Sequence, residues 1–337
     1  MTRRIALALG LALLTMTAAG CVSGEDSSGR PASAAGQGGT ELRLDYAYYN
    51  PESLVVRDQK WLEQELAAKG VKVTWTLSAG SNKANENLRS DVIDLGSTAG
   101  AASFQARANG TPIKIVDVYS RPEWVALVVP KDSPLTDVKQ LKGKKIAATK
   151  GTDAYFFLLQ ALHAAGLSGT DVEVINLQHA DGKTAMERGD VDAWAGLDPM
   201  MAQSQLDSGS RLLYRNRDFS SYGVLNAREA FIAEHPDLVQ ATVNAYERAR
   251  EWIGQNPDQA VALLAKESKV STEVAKLVLS ERTDVNISPV PGADQRAVLE
   301  RILPTMVDEK QVRTEQDATT ALDGLFEPKF AQEAAGR

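Results

Sequence analysis

Three short segments carry small, hydroxylic and acidic residues of the kind that hold a small molecule. The first is Gly96-Ser97-Thr98-Ala99-Gly100-Ala101. Its small residues let a ligand approach the backbone, and its hydroxyls can donate hydrogen bonds. The second is Thr149-Lys150-Gly151-Thr152-Asp153-Ala154-Tyr155, where Thr152 or Asp153 is placed to cap a following helix. The third is Trp194-Ala195-Gly196-Leu197-Asp198-Pro199, with Asp198 as an N-cap and Pro199 in a first helical turn. Tyr48, Tyr49 and Asn50 form a further candidate group. The chemistry on offer is hydrogen bonding to a polar or anionic ligand at a helix start, where backbone N–H groups and a partial positive charge favour anions. Each segment also has a structural reading. Ser, Thr and Asp ahead of a helix cap it, and Trp194 is either core or the wall of a pocket.

Catalytic signatures are missing from the sequence. It has no GxGxxG after a strand, no P-loop GxxxxGK[ST] and no GxSxG elbow. The carboxylates form no identifiable pair. His163, His179 and His235 are scattered, with no metal-ligand spacing such as HExxH, and are expected to be surface or core residues. No metal, cofactor or enzyme activity is therefore expected.

The elements that must position these segments alternate along the chain. Strands are expected over 42–48, 71–75, 93–96, 113–118 and 124–129, with a helix over 54–68 and another ending near Val92. The pattern then restarts. Strands over 145–148, 172–175, 191–195 and 211–214 enclose helices over 154–165 and 182–188. After 223–227 the chain turns mainly helical, with Pro236, Pro257 and Pro304 near expected helix starts. Strands alternating with helices imply parallel α/β layers. Each candidate segment follows a strand, which is where ligands bind in open α/β sheets. The two halves also echo each other. Val71-Lys72-Val73 followed by Ser90-Asp91-Val92-Ile93-Asp94 matches Val172-Glu173-Val174 followed by Gly189-Asp190-Val191-Asp192, which suggests two lobes of similar build.

The chain opens with Arg3 and Arg4, an uncharged run over 5–19, and Ala18-Ala19-Gly20-Cys21. That order describes a secretory signal peptide, and the run is shorter than the roughly 20 residues that span a bilayer. Cys21 is the single cysteine, so an intrachain disulfide is impossible. The stretch resembles the lipobox of bacterial lipoproteins, with Ala18 in the place of the usual Leu. The alternative is an ordinary signal peptide with an incidental Cys. Residues 22–40 are rich in Gly, Ser and Ala and are expected to be a flexible linker. Removing residues 1–20 takes away two positive charges, so the net charge of −7 becomes −9. That argues against nucleic acid as a partner.

Taken together, the body from about Leu42 to Phe330 resembles the substrate-binding proteins of ABC importers in the alkanesulfonate, taurine and nitrate group. The resemblance is carried by Val128-Val129-Pro130-Lys131-Asp132-Ser133-Pro134, by Asp137-Val138-Lys139-Gln140-Leu141-Lys142-Gly143-Lys144-Lys145-Ile146-Ala147, and by the stretch from Gly189 through Asp198-Pro199. It implies an α/β, two-lobed type II periplasmic-binding-protein fold with the ligand cleft between the lobes. Residues 1–20 would be a lipoprotein signal peptide and 21–40 the linker. Residues 41–128 plus 225–337 would form lobe one, and 129–224 lobe two, with crossings near Val129-Pro130 and 222–225. By motif, Ser97 and Thr98 match the ligand loop of lobe one. Gly151, Thr152, Asp153, Ala154 and Tyr155 match that of lobe two, and Trp194 and Asp198 the third loop. Sulfonate binders tend to have a Ser-rich turn where Asp153 and Tyr155 stand here. If Asp153 faces the cleft, a zwitterion such as taurine or a cationic heterocycle fits; otherwise Asp153 caps its helix.

The implied function is that of an extracytoplasmic, monomeric solute-binding subunit. It would take a small organic anion or zwitterion, foremost an aliphatic sulfonate, to an ABC permease and its ATPase. Taurine, nitrate and a thiamine-precursor pyrimidine are alternatives. A pyrimidine-synthesising enzyme of this fold is a further one, which the lack of a Cys-rich segment and the export signal weigh against. A sensor subunit serving a membrane receptor is another. The lipid on Cys21 would hold the protein at the cell membrane. Replacing Cys21 with Ser is expected to move the protein from the membrane fraction into the medium, as read by immunoblot of both fractions.

Overall fold

A computed structural model describes residues 40–336, which form one unit. The signal peptide, most of the linker and Cys21 lie outside the described residues. The first stretch runs β1 (Glu41–Tyr46), α1 (Pro51–Gln59), α2 (Trp61–Ala67), β2 (Lys72–Leu77), α3 (Ser81–Arg89), β3 (Leu95–Ala99), α4 (Gly100–Ala108) and β4 (Ile113–Pro122). The middle runs β5 (Val125–Val129), β6 (Lys145–Ala148), α5 (Asp153–Ala164), β7 (Glu173–Asn176), α6 (His179–Arg188), β8 (Ala193–Leu197), α7 (Met200–Ser208) and β9 (Arg211–Tyr214). The chain then returns through β10 (Gly223–Arg228) to α8 (Glu229–Glu234), α9 (Pro236–Gln255), α10 (Pro257–Ser268), α11 (Thr272–Lys276), β11 (Thr283–Asp284), α12 (Ala293–Asp308), α13 (Glu315–Asp323) and α14 (Lys329–Ala335). Among the described residues no helix is long and apolar enough to cross a membrane.

The strands form two sheets. One has the order β11-β4-β10-β3-β1-β2 and the other β7-β6-β8-β5-β9. Read from β2 and from β7, the two begin alike. Three parallel strands come first, β2-β1-β3 and β7-β6-β8, followed by an antiparallel strand, β10 or β5. That fourth strand is the one delivered by each crossing between lobes. The echo seen in the sequence has a physical basis. Asp94 Oδ2 accepts from the Arg43 N–H at 2.9 Å, and the Asp94 N–H donates to Arg43 O at 2.7 Å. Asp192 does the same with Lys145, at 2.9 and 2.8 Å. In both lobes an Asp just ahead of the third strand is stitched to the start of the first.

Two boundaries differ from expectation. β5 pairs with β8 and β9, so residues 125–128 belong to the second sheet and the first crossing lies at 123–124 rather than at Val129-Pro130. β10 pairs with β3 and β4 along its whole length, so Gly223 and Val224 belong to the first sheet. The reason is register: both strands are buried, apolar and hydrogen-bonded on both sides, which a strand shared between two sheets cannot be. The expected helix over 54–68 is broken at Lys60, which adopts a left-handed conformation with φ 54°. Pro236 and Pro257 open α9 and α10, while Pro304 lies inside α12.

Behind the first sheet lies a buried charge cluster. Arg250 of α9 donates to Val118 O at 2.7 Å and Tyr119 O at 3.1 Å, and pairs with Glu247 at 3.1 Å. Glu52 and Asp117 are buried nearby, and neither carboxyl has a hydrogen-bond partner among the described residues. Burial pushes Glu52 up from 4.5 to about 8, against the pull of Arg250. Below about 4.5 the folded and unfolded chains both hold this proton. Between 4.5 and 8 only the folded chain does, so this group withdraws stability as pH rises through that window. Glu52→Gln is expected to raise Tm by about 2 °C or more at pH 8, with a smaller gain at pH 5, measured by calorimetry at both.

Candidate functional site

The carboxyl ends of the parallel strands β1, β2 and β3 gather the first group of candidates. Asp45, next to last in β1, accepts from Ser97 N and Ser97 Oγ, each at 2.8 Å. Asn50 caps α1 by accepting from Ser53 N at 3.1 Å. Its amide donates to Ser97 Oγ at 2.7 Å and Tyr246 Oη at 3.2 Å. Tyr49 Oη donates to Ser97 O at 2.8 Å. Burial pushes Asp45 up to about 7 even though serine donors pull it down. Thr98 closes a second ring with Ser103 and Asn226, at 2.5, 2.9 and 2.7 Å. Ser97 and Thr98 therefore stand inside β3 rather than on a loop. Their hydroxyls are engaged within lobe one, because β3 extends to Ala99 to pair with β10. Tyr48 is half-buried and packs against the core.

Asp153 takes its hydrogen-bond partners from outside its own helix. It is the first residue of α5 and is buried. Its Oδ2 accepts from Trp124 Nε1 at 2.7 Å and Ser221 N at 2.9 Å, and its Oδ1 accepts from Ser221 Oγ at 2.6 Å. Ser221 Oγ accepts in turn from the Ala101 N–H of α4 at 3.0 Å. Trp124 and Ser221 stand in the two crossings, so this carboxylate faces the hinge. Burial raises its pKa, against the pull of Ser221 and Trp124. Tyr49 packs edge-on against Trp124, with ring centroids 5.8 Å apart. The rest of the segment supports this placement. Thr152 Oγ1 donates to Thr149 O at 2.7 Å, Ala154 is buried, and Gln311 Nε2 reaches Tyr155 Oη at 3.5 Å. Gly151 has φ 76°, and a methyl there would touch Asn82 and Gln105 of lobe one at 3.5 and 3.6 Å.

The third segment is structural. Trp194 is fully buried inside β8, on the face covered by α6, where a methyl on Gly182 would come within 2.9 Å of its indole. It is core rather than pocket wall, because alternate residues of a strand face opposite sides. Asp198 accepts from Ala202 N at 2.9 Å and meets Arg282 Nη1 at 3.1 and 3.2 Å. Arg282 also donates to Gln205. Burial raises Asp198 to about 6, and Arg282 opposes that rise.

A fourth place brings the lobes together. It is formed by Ser78–Asn82, after β2, and Gln178–His179, after β7. A methyl on Gly80 would sit 2.8 Å from Asn82 Oδ1 and 3.2 Å from His179 Nε2. Neither of those atoms has a hydrogen-bond partner among the described residues, nor does His179 Nδ1 or Gln178 Oε1. His179 is 1 % exposed, and burial lowers its pKa to about 4. The sequence held a signal for this place: Ser78-Ala79-Gly80-Ser81-Asn82 is another run of small and polar residues between a strand and a helix. His179 gave none, since a lone His at a helix start is unremarkable. Among the described residues no group of His, Cys, Asp and Glu is arranged to hold a metal ion.

Arg282 reaches Asp198 from the C-terminal part of the chain, so the pair ties lobe two to it. Arg282→Ala leaves a buried carboxylate unpaired and is expected to cost about 3–5 kcal/mol in denaturant unfolding. The double variant with Asp198→Asn is expected to recover part of that loss.

Comparison with known proteins agrees with this architecture. An Escherichia coli (strain K12) relative named as an aliphatic sulfonates-binding protein is 29% identical over 281 residues, covering 80% of this chain and 87% of its own. The taurine-binding periplasmic protein of the same organism is 26% identical, covering 56% of this chain and 60% of its own. The alkanesulfonate-binding protein from Xanthomonas axonopodis pv. citri, solved bound to MOPS, superposes with a TM-score of 0.75 at 25% identity, over 84% of this chain and 97% of that one. The fold alone is also shared by a desulfurization enzyme, at 17% identity and a TM-score of 0.64. The family model described as NMT1/THI5 like matches residues 66–260, and this chain belongs to that family.

Proposed function

We propose that the protein is the solute-binding subunit of an ABC importer. It captures a small organic anion, foremost an aliphatic sulfonate, between its lobes and delivers it to a membrane permease and its ATPase. One observation carries this reading: helix α3 of one lobe and helices α5 and α6 of the other begin just beyond the carboxyl ends of parallel strands, near the line where the lobes touch. Free N–H groups and the positive ends of helix dipoles suit an anion. The names of the sulfonate-binding relatives support the same ligand class. The Asp153 carboxylate is engaged by Trp124 and Ser221, which weakens the argument for a cationic ligand.

Two crossings at 123–124 and near Ser221 suit a hinge, and a ligand that binds the closed form better shifts the population towards it. The buried acids near the site act structurally, with Asp45, Asp153 and Asp198 each accepting hydrogen bonds from the chain itself. The protein works as a monomer outside the cytoplasm, held at the membrane by the lipid on Cys21.

Titration calorimetry against butanesulfonate, MOPS, taurine, nitrate and a thiamine-precursor pyrimidine tests this. A sulfonate is expected to bind with a Kd of about 1 μM or below. Binding of the pyrimidine alone would transfer the protein to the alternative ligand class, and silence from all five would remove the proposal.

A further inference from the structure

The two lobes place unpartnered polar atoms on either side of Gly80, as described above. Asn82 Oδ1 belongs to the first turn of α3, and His179 Nε2 to the first residue of α6. A buried imidazole without a hydrogen bond is costly, because its N–H and its ring nitrogen have both lost water. Such groups in a folded protein are accounted for by something that they bind. The helix starts agree. Gln178 precedes α6 without a side-chain cap, as Gly80 precedes α3, so the first N–H groups of both helices remain available.

We infer that His179, together with the helix starts of α3 and α6 from the two lobes, forms a clamp on the ligand's charged head, and that His179 is a specificity-determining residue of this protein. This rests on the transport reading above. At neutral pH the donors here are uncharged: the imidazole N–H and the backbone N–H groups of α3 and α6, while Asn82 Oδ1 is an acceptor beside them. Gly80 is required between them, since a side chain would fill the space on which both polar atoms converge. Uncharged donors suit a singly charged oxyanion that only accepts hydrogen bonds. A sulfonate is ionised at every pH in which the protein is folded and has three such oxygens. A dianionic phosphate would bring a second charge with no buried cation to meet it.

The test uses the purified protein with butanesulfonate and MOPS in titration calorimetry. His179→Phe is expected to weaken binding about 10-fold or more, whereas His179→Gln, which keeps an N–H donor, stays within about 3-fold of wild type. Asn82→Ala, which removes only an acceptor, is expected to stay within about 3-fold of wild type. A second readout needs no variant. The chain has three histidines, and butanesulfonate should shift the imidazole NMR signals of His179 while those of His163 and His235 stay in place. If wild type binds neither sulfonate, the transport reading falls and the clamp with it. If wild type binds while His179→Phe binds equally well, or the His179 signals do not move, the clamp alone is overturned.

Discussion

The carboxylate of Asp153 is the interaction on which the two-lobed arrangement depends. It takes three hydrogen bonds from Trp124 and Ser221, residues that stand in the two crossings between lobes. Through Ser221 it reaches the first turn of α4. One buried acid at the start of a lobe-two helix thus fixes both hinge strands and the start of a lobe-one helix. Three donors on one carboxylate in a dry setting are strong partners, and any one of them left alone would be costly. The neighbouring Gly100 N–H donates to Tyr222 O at 2.8 Å, which holds the same helix start against the second crossing.

The molecule buries many carboxylates, and their surroundings sort them by role. Asp153 and Asp198 are matched by donors at both oxygens, and Asp45 by two donors at Oδ1. Asp94 and Asp192 stitch strands together at equivalent places in the two lobes. Glu52 and Asp117 lack such donors and lie near Arg250 instead. Burial disfavours the charged form of Asp45, Asp153, Asp198, Glu52 and Asp117, and what differs is how much each environment returns through hydrogen bonds and ion pairs. That difference separates acids that organise the fold from groups that remain unsatisfied behind the first sheet.

The site follows from the repeated sheet plan. In each lobe three parallel strands end side by side, and the helices that follow them start at the same edge. When two such edges face each other, their helix starts converge on one region. Positive helix ends from both sides then favour an anion. Ser97 and Thr98 sit beneath this region and brace it through Asp45, Asn50 and Asn226, while Gly80, Asn82 and His179 lie at its surface.

Much of this was legible in the chain itself. The alternation of strands and helices, the repeat around Asp94 and Asp192, and the small-residue segments after strands come from local propensity and periodicity, which act over a few residues. So do Asn50 as a cap and Pro236 and Pro257 as helix starts. Local pattern could not say which way Asp153 or Trp194 would point. Asp153 is claimed by residues 29 and 68 positions away, and Trp194 by the packing of α6 on its sheet. Strand pairing decided the crossings as well, since β5 and β10 read as ordinary apolar strands wherever they are placed. His179 is the clearest case. Nothing beside it in the sequence marks it, and its unpartnered, buried position arises only when α6 of one lobe meets Gly80 of the other. Sequence determined the elements and their order because those are short-range; the tertiary structure decided the partners of the buried polar groups because those come from distant parts of the chain.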